Sequence, residues 1–324
     1  MKFLSLRRAL VAGLSFLALL AGGSAHAAFR AYLSAAIGND ANPCTLVLPC
    51  RLLPAALAAV DAGGEIWMLD SANFNSGVVG ISKSVTILAI PGQLGSVVGI
   101  SGAAFAINGP GIEVTLQNLN IVSFSGTGDV GVQVANATRV SIINCNIFGF
   151  TGLNGAASNN GVGIAVNSGA NATKVNVVGS TIRNNSTGIY VSGNGVATIS
   201  KTHVLGNSGP GIMSSSGTGF SVVNVSDSVS SGNGSGFVVA GCSGTTCTAQ
   251  MFVTRSVATE NAIDGFRSQG GSTAFMVVGE SMSTHNGSMG FNNLLGTFQS
   301  RGDNTVSGNF NAQTSGTITP QAGL

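Results

Sequence analysis

Charge is what this chain has least of. Asp, Glu, Lys and Arg make up 7% of its 324 residues, against roughly 25% in ordinary soluble domains. Three of its thirteen basic residues, Lys2, Arg7 and Arg8, sit at the extreme N-terminus. Without them ten bases stand against eleven acids, a net of −1. That balance excludes a basic face for nucleic acid or for an anionic membrane. Long apolar runs are equally scarce. The one conspicuous run, from about Ala9 to Ala21, is shorter than the roughly 20 residues a transmembrane span needs.

Low charge with abundant polar residues is a composition that can signal disorder. Here the apolar fraction of 44% and its regular placement exclude that reading. Gly, Ser, Thr and Asn do the solvating instead. The N-terminus reads as a secretory signal peptide covering residues 1–27: a basic head, an apolar middle, and Ala25 and Ala27 at the −3 and −1 positions. Cleavage between Ala27 and Ala28 then places the protein outside the cytoplasm, extracellular or periplasmic, with no membrane span remaining. In such an oxidising compartment Cys44 with Cys50, and Cys242 with Cys247, are expected to form two local disulfides. Neither pair has a second Cys/His pair nearby in the sequence, so no metal site is expected. Cys145, in SIINCNIF, is expected to be a buried free thiol.

What is present in quantity is a repeat. Its unit is KVNVVGSTIRNNSTGIYV, Lys174 to Val191: two alternating apolar runs, an Asn-rich corner, and a Gly-apolar step. One apolar anchor per unit aligns as Ile121, Ile147, Ile182, Val204, Val229, Val257, Met282 and Val306, spaced 22 to 35 residues apart. Gly131, Gly163, Gly188, Gly211, Gly236, Gly265 and Gly290, each followed by an apolar residue, form a second column. Asn185, Asn207, Asn233, Asn261, Asn286 and Asn309 form a third. A period in this range is that of a solenoid. Frequent Gly costs a helix about 1 kcal/mol per position relative to Ala, and no leucine-rich frame is present. Three short strands per turn remain, alternating inward apolar and outward polar, with Gly and Asn at corners that need left-handed backbone. Asn144, Gly179 and Gly279 are aligned to one such corner.

Outside the repeat, residues 28–50 are a lead-in segment. Residues 51–62 (RLLPAALAAVDA) predict a short capping helix near 53–62, started by Pro54, stopped by Gly63-Gly64, with Leu53, Leu57 and Val60 on one face. Strands are expected at Glu65–Leu69 and Ser84–Ile90. Residues 311–324 read as a C-terminal tail, folded over the last turn or free. The stretch FTGLNGAASNNG (150–161) is expected to bulge from one corner.

With its V-x-V/I-x-[GN]-x-x-I corner, Asn column and Gly-apolar step, the chain resembles the right-handed parallel β-helix repeat proteins, the pectin-lyase-like fold. The resemblance covers about residues 51–310. It implies an all-β, single-stranded right-handed parallel β-helix with three short strands per coil and an N-terminal capping helix. It is nearly silent about reaction, since lyases, hydrolases, esterases, tailspikes and non-catalytic surface proteins share the scaffold. The known enzymes of the fold carry clustered calcium-binding acids with an Arg base, or paired Asp residues with Gly-His-Gly and Arg-Ile-Lys. This sequence has no Asp-Asp, no Gly-His-Gly and no Arg-Ile-Lys.

Two readings follow. The first is a secreted, non-catalytic structural or polysaccharide-contacting scaffold with no cofactor. The second is a lyase or hydrolase acting on an acidic glycan, with calcium as the one cofactor it would call for. Its residues come from the charges crowding the last coils. Asp227, Arg255 and Glu280 stack two residues before the anchor, and Glu260 lies beside His285 three residues after it. A carboxylate next to a His suits general acid–base work, and an Arg between acids suits a uronate. Opposite charges on neighbouring strands also stabilise a sheet without any catalysis. Strict alternation would turn Asp227, Arg255 and Glu280 inward, so either they pair with one another or the corner rotates them out. On the outward column Gln133, Ala165, Tyr190, Met213, Val238, Arg267 and Asn292, Tyr190 offers a ring on which a sugar could stack.

Overall fold

Short alternating strands bury one face each and need a second layer to cover it. A computed structural model describes residues 28–124, 128–152, 161–242 and 247–321, and in it the chain supplies that layer by winding back on itself. Each turn lays one strand on each of three faces, and every strand pairs in parallel with its counterparts one turn below and above. The short face is a 10-stranded sheet running from Ala72–Asn73 to Thr305–Ser307. The step face holds the Gly-apolar strands. The long face runs from Ala28–Leu33 to Ile318–Pro320. Two long strands, Val162–Val178 and Thr187–Ser200, turn the corner between these last two faces and merge them into one 20-stranded sheet.

The Gly-apolar column stacks in the expected register: Val132 on Ile164, then Ile189, Ile212, Phe237, Phe266 and Phe291. Its last three rings form a buried file, with centroids 4.8 Å apart for Phe237–Phe266 and 5.2 Å for Phe266–Phe291. The Asn column becomes a buried ladder. From Asn185 to Asn286, each backbone N–H and side-chain amide donates to the Oδ1 of the Asn one turn above.

The anchor column departs from expectation by one residue. Ile121, Ile147, Ile182 and Val204 stack and are fully buried. Above Val204, however, comes Ser230, then Ala258, Ser283 and Val306. Val229, Val257 and Met282 lie beside this file and face outward, Met282 being 42% exposed. The reason is volume. Where Phe237, Phe266 and Phe291 fill the interior, the facing position holds a small residue. Its hydroxyl is then satisfied locally: Ser230 and Ser283 donate to the carbonyls of Gly236 and Gly290, each at 2.9 Å.

The same slip corrects the corner columns. Cys145, Ser180, Thr202, Ser228, Ser256, Ser281 and Asn304 point inward as a second ladder, in which the Thr202, Ser228 and Ser256 N–H groups each donate to the next hydroxyl at 3.2 Å. Asn144, Lys201, Asp227, Arg255 and Glu280 take the left-handed corner, with φ between 46° and 52°, and Gly179 joins them at 60°. Gly279 does not; it stacks on Thr254, one position earlier.

At the N-terminal pole, helix α1 spans Leu53–Ala59, shorter than expected. Pro54 is in its first turn, and Asp40 accepts the Arg51 and Leu52 N–H groups at 2.8 and 2.7 Å. Leu53, Ala56 and Val60 are the buried positions, with Leu57 only half-buried. The chain turns extended at Val60, before Gly63-Gly64, because Val60–Met68 pairs with Ala28–Leu33 on one side and Val85–Ala89 on the other. The parallel ladder therefore extends below residue 51. It also extends past residue 310, since Ala312–Ser315 and Ile318–Pro320 pair with Met289–Leu294 and Thr297–Ser300. Both disulfides are formed, Cys44–Cys50 and Cys242–Cys247. Cys145 is a free buried thiol whose burial pushes its pKa up to about 12. The signal peptide reading, and residues 153–160 of the expected bulge, lie outside the described residues.

Candidate functional site

The charged candidates sit on the two corners flanking the short face. A left-handed residue recurs five positions on from the first, so Arg255 and Glu260 bracket the strand Val257–Thr259, as Glu280 and His285 bracket Met282–Thr284. The corner rotates Asp227, Arg255 and Glu280 out of the core, which resolves the alternation problem. Arg255 then grips Asp227 with Nε and Nη2, at 2.8 and 3.1 Å. The Arg255 hydrogen bond holds the Asp227 carboxyl below its ordinary value, and Asp227 in turn holds the guanidinium above its own. Asp303 stands above Glu280 and accepts its backbone N–H at 2.8 Å. Arg255, Glu280, Met282, Asp303 and Thr305 line an open groove of about 480 Å³.

Glu260 and His285 are stacked on consecutive turns but do not engage each other. The Glu260 carboxylate turns down to the Ser231 hydroxyl at 3.5 Å. His285 Nδ1 shares a 2.8 Å hydrogen bond with the Thr284 hydroxyl. Arg255 belongs to the other corner and is committed to Asp227. The structure therefore does not gather Arg255, Glu260 and His285 at one point. Nor do the acids suit calcium: Asp227 is engaged by Arg255, and among the described residues no three His, Cys, Asp or Glu side chains converge.

The column Gln133–Ala165–Tyr190–Met213–Val238–Arg267–Asn292 stacks as expected, but it is not an open outward face: Ala165, Val238 and Asn292 are buried, Ala165 in a second apolar cluster with Ala103, Val130 and Val162 on which Tyr190 packs. Tyr190 stands half-exposed in a groove of about 330 Å³ lined also by Asn167, Ser168, Ser192, Gly193, Gly217 and Thr218. These polar neighbours are preset. Ser192 donates to Asn167 Oδ1 at 2.6 Å and Ser168 to Thr173 Oγ1 at 3.0 Å. Nothing in a one-dimensional alignment marks Asn167 and Ser168 as partners of Tyr190, because the corner that places them carries no anchor.

Two further clusters were missed. Asp264 is buried, 1% exposed, and accepts the Met289 N–H and the Asn292 amide at 3.1 and 2.8 Å, with Arg267 Nε 3.7 Å away. Near the N-terminal pole, the Arg30 guanidinium lies 4.0 Å over the Trp67 ring, while Arg30 and Trp67 both donate to Glu65 Oε2. The lead-in segment carries none of the repeat's columns, so its sequence gives no register that would set Arg30 or Tyr32 beside Trp67.

A family model described as "Right handed beta helix region" matches residues 103–311. The chain belongs to the right-handed β-helix family. Among solved structures, this β-helix protein is similar to pectate lyase Pel9A, with a TM-score of 0.50 and 17% identity, covering 88% of this chain and 78% of that one. It is also similar to the Dettilon tailspike protein, with a TM-score of 0.52 and 15% identity, covering 75% of this chain and 54% of that one. Identities this low show the fold alone. Comparison with curated protein sequences returns no match.

Proposed function

We propose that this protein is exported through residues 1–27 and serves outside the cytoplasm as a rigid, non-catalytic scaffold that holds polysaccharide on its outer surface. The observation that carries the reading is the Tyr190 groove. The Tyr190 ring packs partly buried against the Ala103, Val130, Val162 and Ala165 cluster, and its remaining exposed part lines the groove, where it can meet the C–H groups of a pyranose, with the Asn167 amide and the Ser192 hydroxyl beside it as polar partners. Two local disulfides fit an oxidising compartment. The fold's likeness to a pectate lyase and a tailspike is in keeping with a glycan ligand. The non-catalytic half rests on the engagement of Arg255, Glu260 and His285 with three different neighbours.

One observation favours an enzyme on an acidic glycan instead: Arg255, Glu280 and Asp303 share an open groove of about 480 Å³. Binding of the purified protein to a glycan panel separates the readings. The scaffold reading expects Tyr190→Ala to weaken the best ligand by about tenfold, and Arg255→Ala to leave it unchanged. Binding that ignores Tyr190 and follows Arg255 overturns it.

A further inference from the structure

The two poles of the solenoid are finished differently. At the lower pole helix α1 buries Leu53 and Ala56 against the first turn, and the Leu53 N–H donates to Phe74 O at 2.8 Å. The Cys44–Cys50 loop covers the edge of Ala28–Leu33: Tyr32 N–H donates to Cys44 O at 2.8 Å, and Cys50 N–H donates to Tyr32 O at 3.0 Å. That pole is closed to strand addition.

The upper pole carries no such cover. Thr305–Ser307, Ala312–Ser315 and Ile318–Pro320 each pair with the turn below, and among the described residues no strand pairs above them. The core layer at this end is open as well. Val306 is only partly buried, whereas Ile182 and Val204 in the same file are fully buried; Ile318 is partly buried, whereas Phe298 directly below it is 1% exposed.

An open sheet edge calls for a strand, because its free N–H and C=O groups recur at strand spacing. Proteins that keep such an edge single blunt it with charge or proline. Here one face alone has a proline, Pro320, and residues 304–321 contain no Asp, Glu, Lys, Arg or His. The last two charges before them are drawn down onto the turn below: Asp303 accepts the Glu280 N–H at 2.8 Å, and the Arg301 stem lies along Gly279. At the rim Phe310 stands 85% exposed, although its N–H is held by Asn286 O at 2.9 Å.

These features select the occupant. A neutral edge meets its own image without repulsion, and a second copy brings the same edge at the same spacing. The covered lower pole excludes head-to-tail stacking, so the assembly closes after two copies. We infer that the upper pole is a self-association surface, on which two copies of this chain meet end to end about a two-fold axis perpendicular to the solenoid. That rotation reverses strand direction, so the edges pair antiparallel, with Ala312–Ser315, which lacks proline, against its own copy. Phe310, two residues before that strand, packs on the last turn of the other copy. The seam is three short strands and one ring, so the pair is transient rather than obligate.

The test is sedimentation velocity over a range of concentrations, on protein purified after expression of the full chain, read beside hydrogen exchange of the backbone amides. The expected result is a mass that rises from one chain to two and no further, while the amides of residues 305–320 gain protection over the same range. Thr314→Lys sets two like charges near the axis, and Phe310→Ser removes the rim ring. Both residues are exposed, so the turns below keep their fold, which circular dichroism checks. Each variant is expected to weaken the association by about tenfold or more. Val47→Asp, at an 82% exposed position of the opposite pole, is expected to leave it unchanged. Protein that stays a single chain at every concentration, grows beyond two copies, ignores either upper-pole variant or follows Val47→Asp overturns the inference. So does protection of residues 305–320 that is already complete in the single chain, since the edge is then covered by its own chain.

Discussion

Asn233 and Asn261 meet twice across one turn of the solenoid. The Oδ1 of Asn261 accepts the Asn233 backbone N–H at 3.0 Å and its side-chain amide at 3.2 Å. The Asn233 amide also donates to Val204 O at 2.9 Å. Both residues are about 1% exposed. Each ladder Asn thus satisfies buried backbone groups on the turns around it, groups that water cannot reach.

Replacing a middle rung should therefore strand its neighbours' donors and acceptors. Asn233→Ala is expected to cost about 1–3 kcal/mol, read as a lowered midpoint in thermal or urea unfolding. Asn309, at the upper end, makes as many hydrogen bonds, but it is 6% exposed and its cap is the exposed Gln313 side chain at 3.0 Å, so water can take over part of what it supplies. Asn309→Ala should cost clearly less. Equal losses at the two positions contradict a cooperative ladder.

The corner residues make the opposite prediction. Glu280 and His285 hold φ values of 48° and 53°, a region that penalises a side chain by about 1–2 kcal/mol. Glycine removes that penalty but adds unfolded-state entropy of about 0.5–1 kcal/mol. Glu280→Gly and His285→Gly should each unfold at an equal or higher temperature than the parent. A clear loss of stability would mean that these side chains make contacts beyond those described.

How much of this was open to reading depended on whether the interior was repetitive. Ile182, Val204 and the Gly-apolar steps announce themselves because aliphatic residues fill equivalent positions turn after turn. Ser230, Ala258 and Ser283 do not, since their small size answers phenylalanines on another face. An alignment that rewards apolarity chose Val229, Val257 and Met282 instead. A slip of one residue reverses every side chain of a strand, and that is why Asp227, Arg255 and Glu280 seemed to point inward. The site suffers more than the fold. Register alone stacks Glu260 under His285, but only side-chain geometry turns them to Ser231 and Thr284.

The N-terminal pole should respond to acid. Burial pushes the Asp70 carboxyl up, but the N–H groups of Ala35 and Ala36, the Ser34 hydroxyl and the Arg51 charge outweigh it and hold the group below its ordinary value of 3.8. A depressed folded pKa adds stability that is complete above the unfolded value and disappears as pH falls through the folded one. Unfolding temperature should therefore fall as pH drops below about 4, and Asp70→Asn should reduce that part of the slope. An unchanged slope would remove Asp70 from the account.

The most direct test of the central claim, that glycan is held and not altered, is turnover of uronate-containing polymers by the purified protein, with and without calcium. The account predicts that polymer is retained by the protein, at a level set by Tyr190, while chain length and ultraviolet absorbance stay constant. Unsaturated product or new reducing ends, lost on Arg255→Ala, would contradict it.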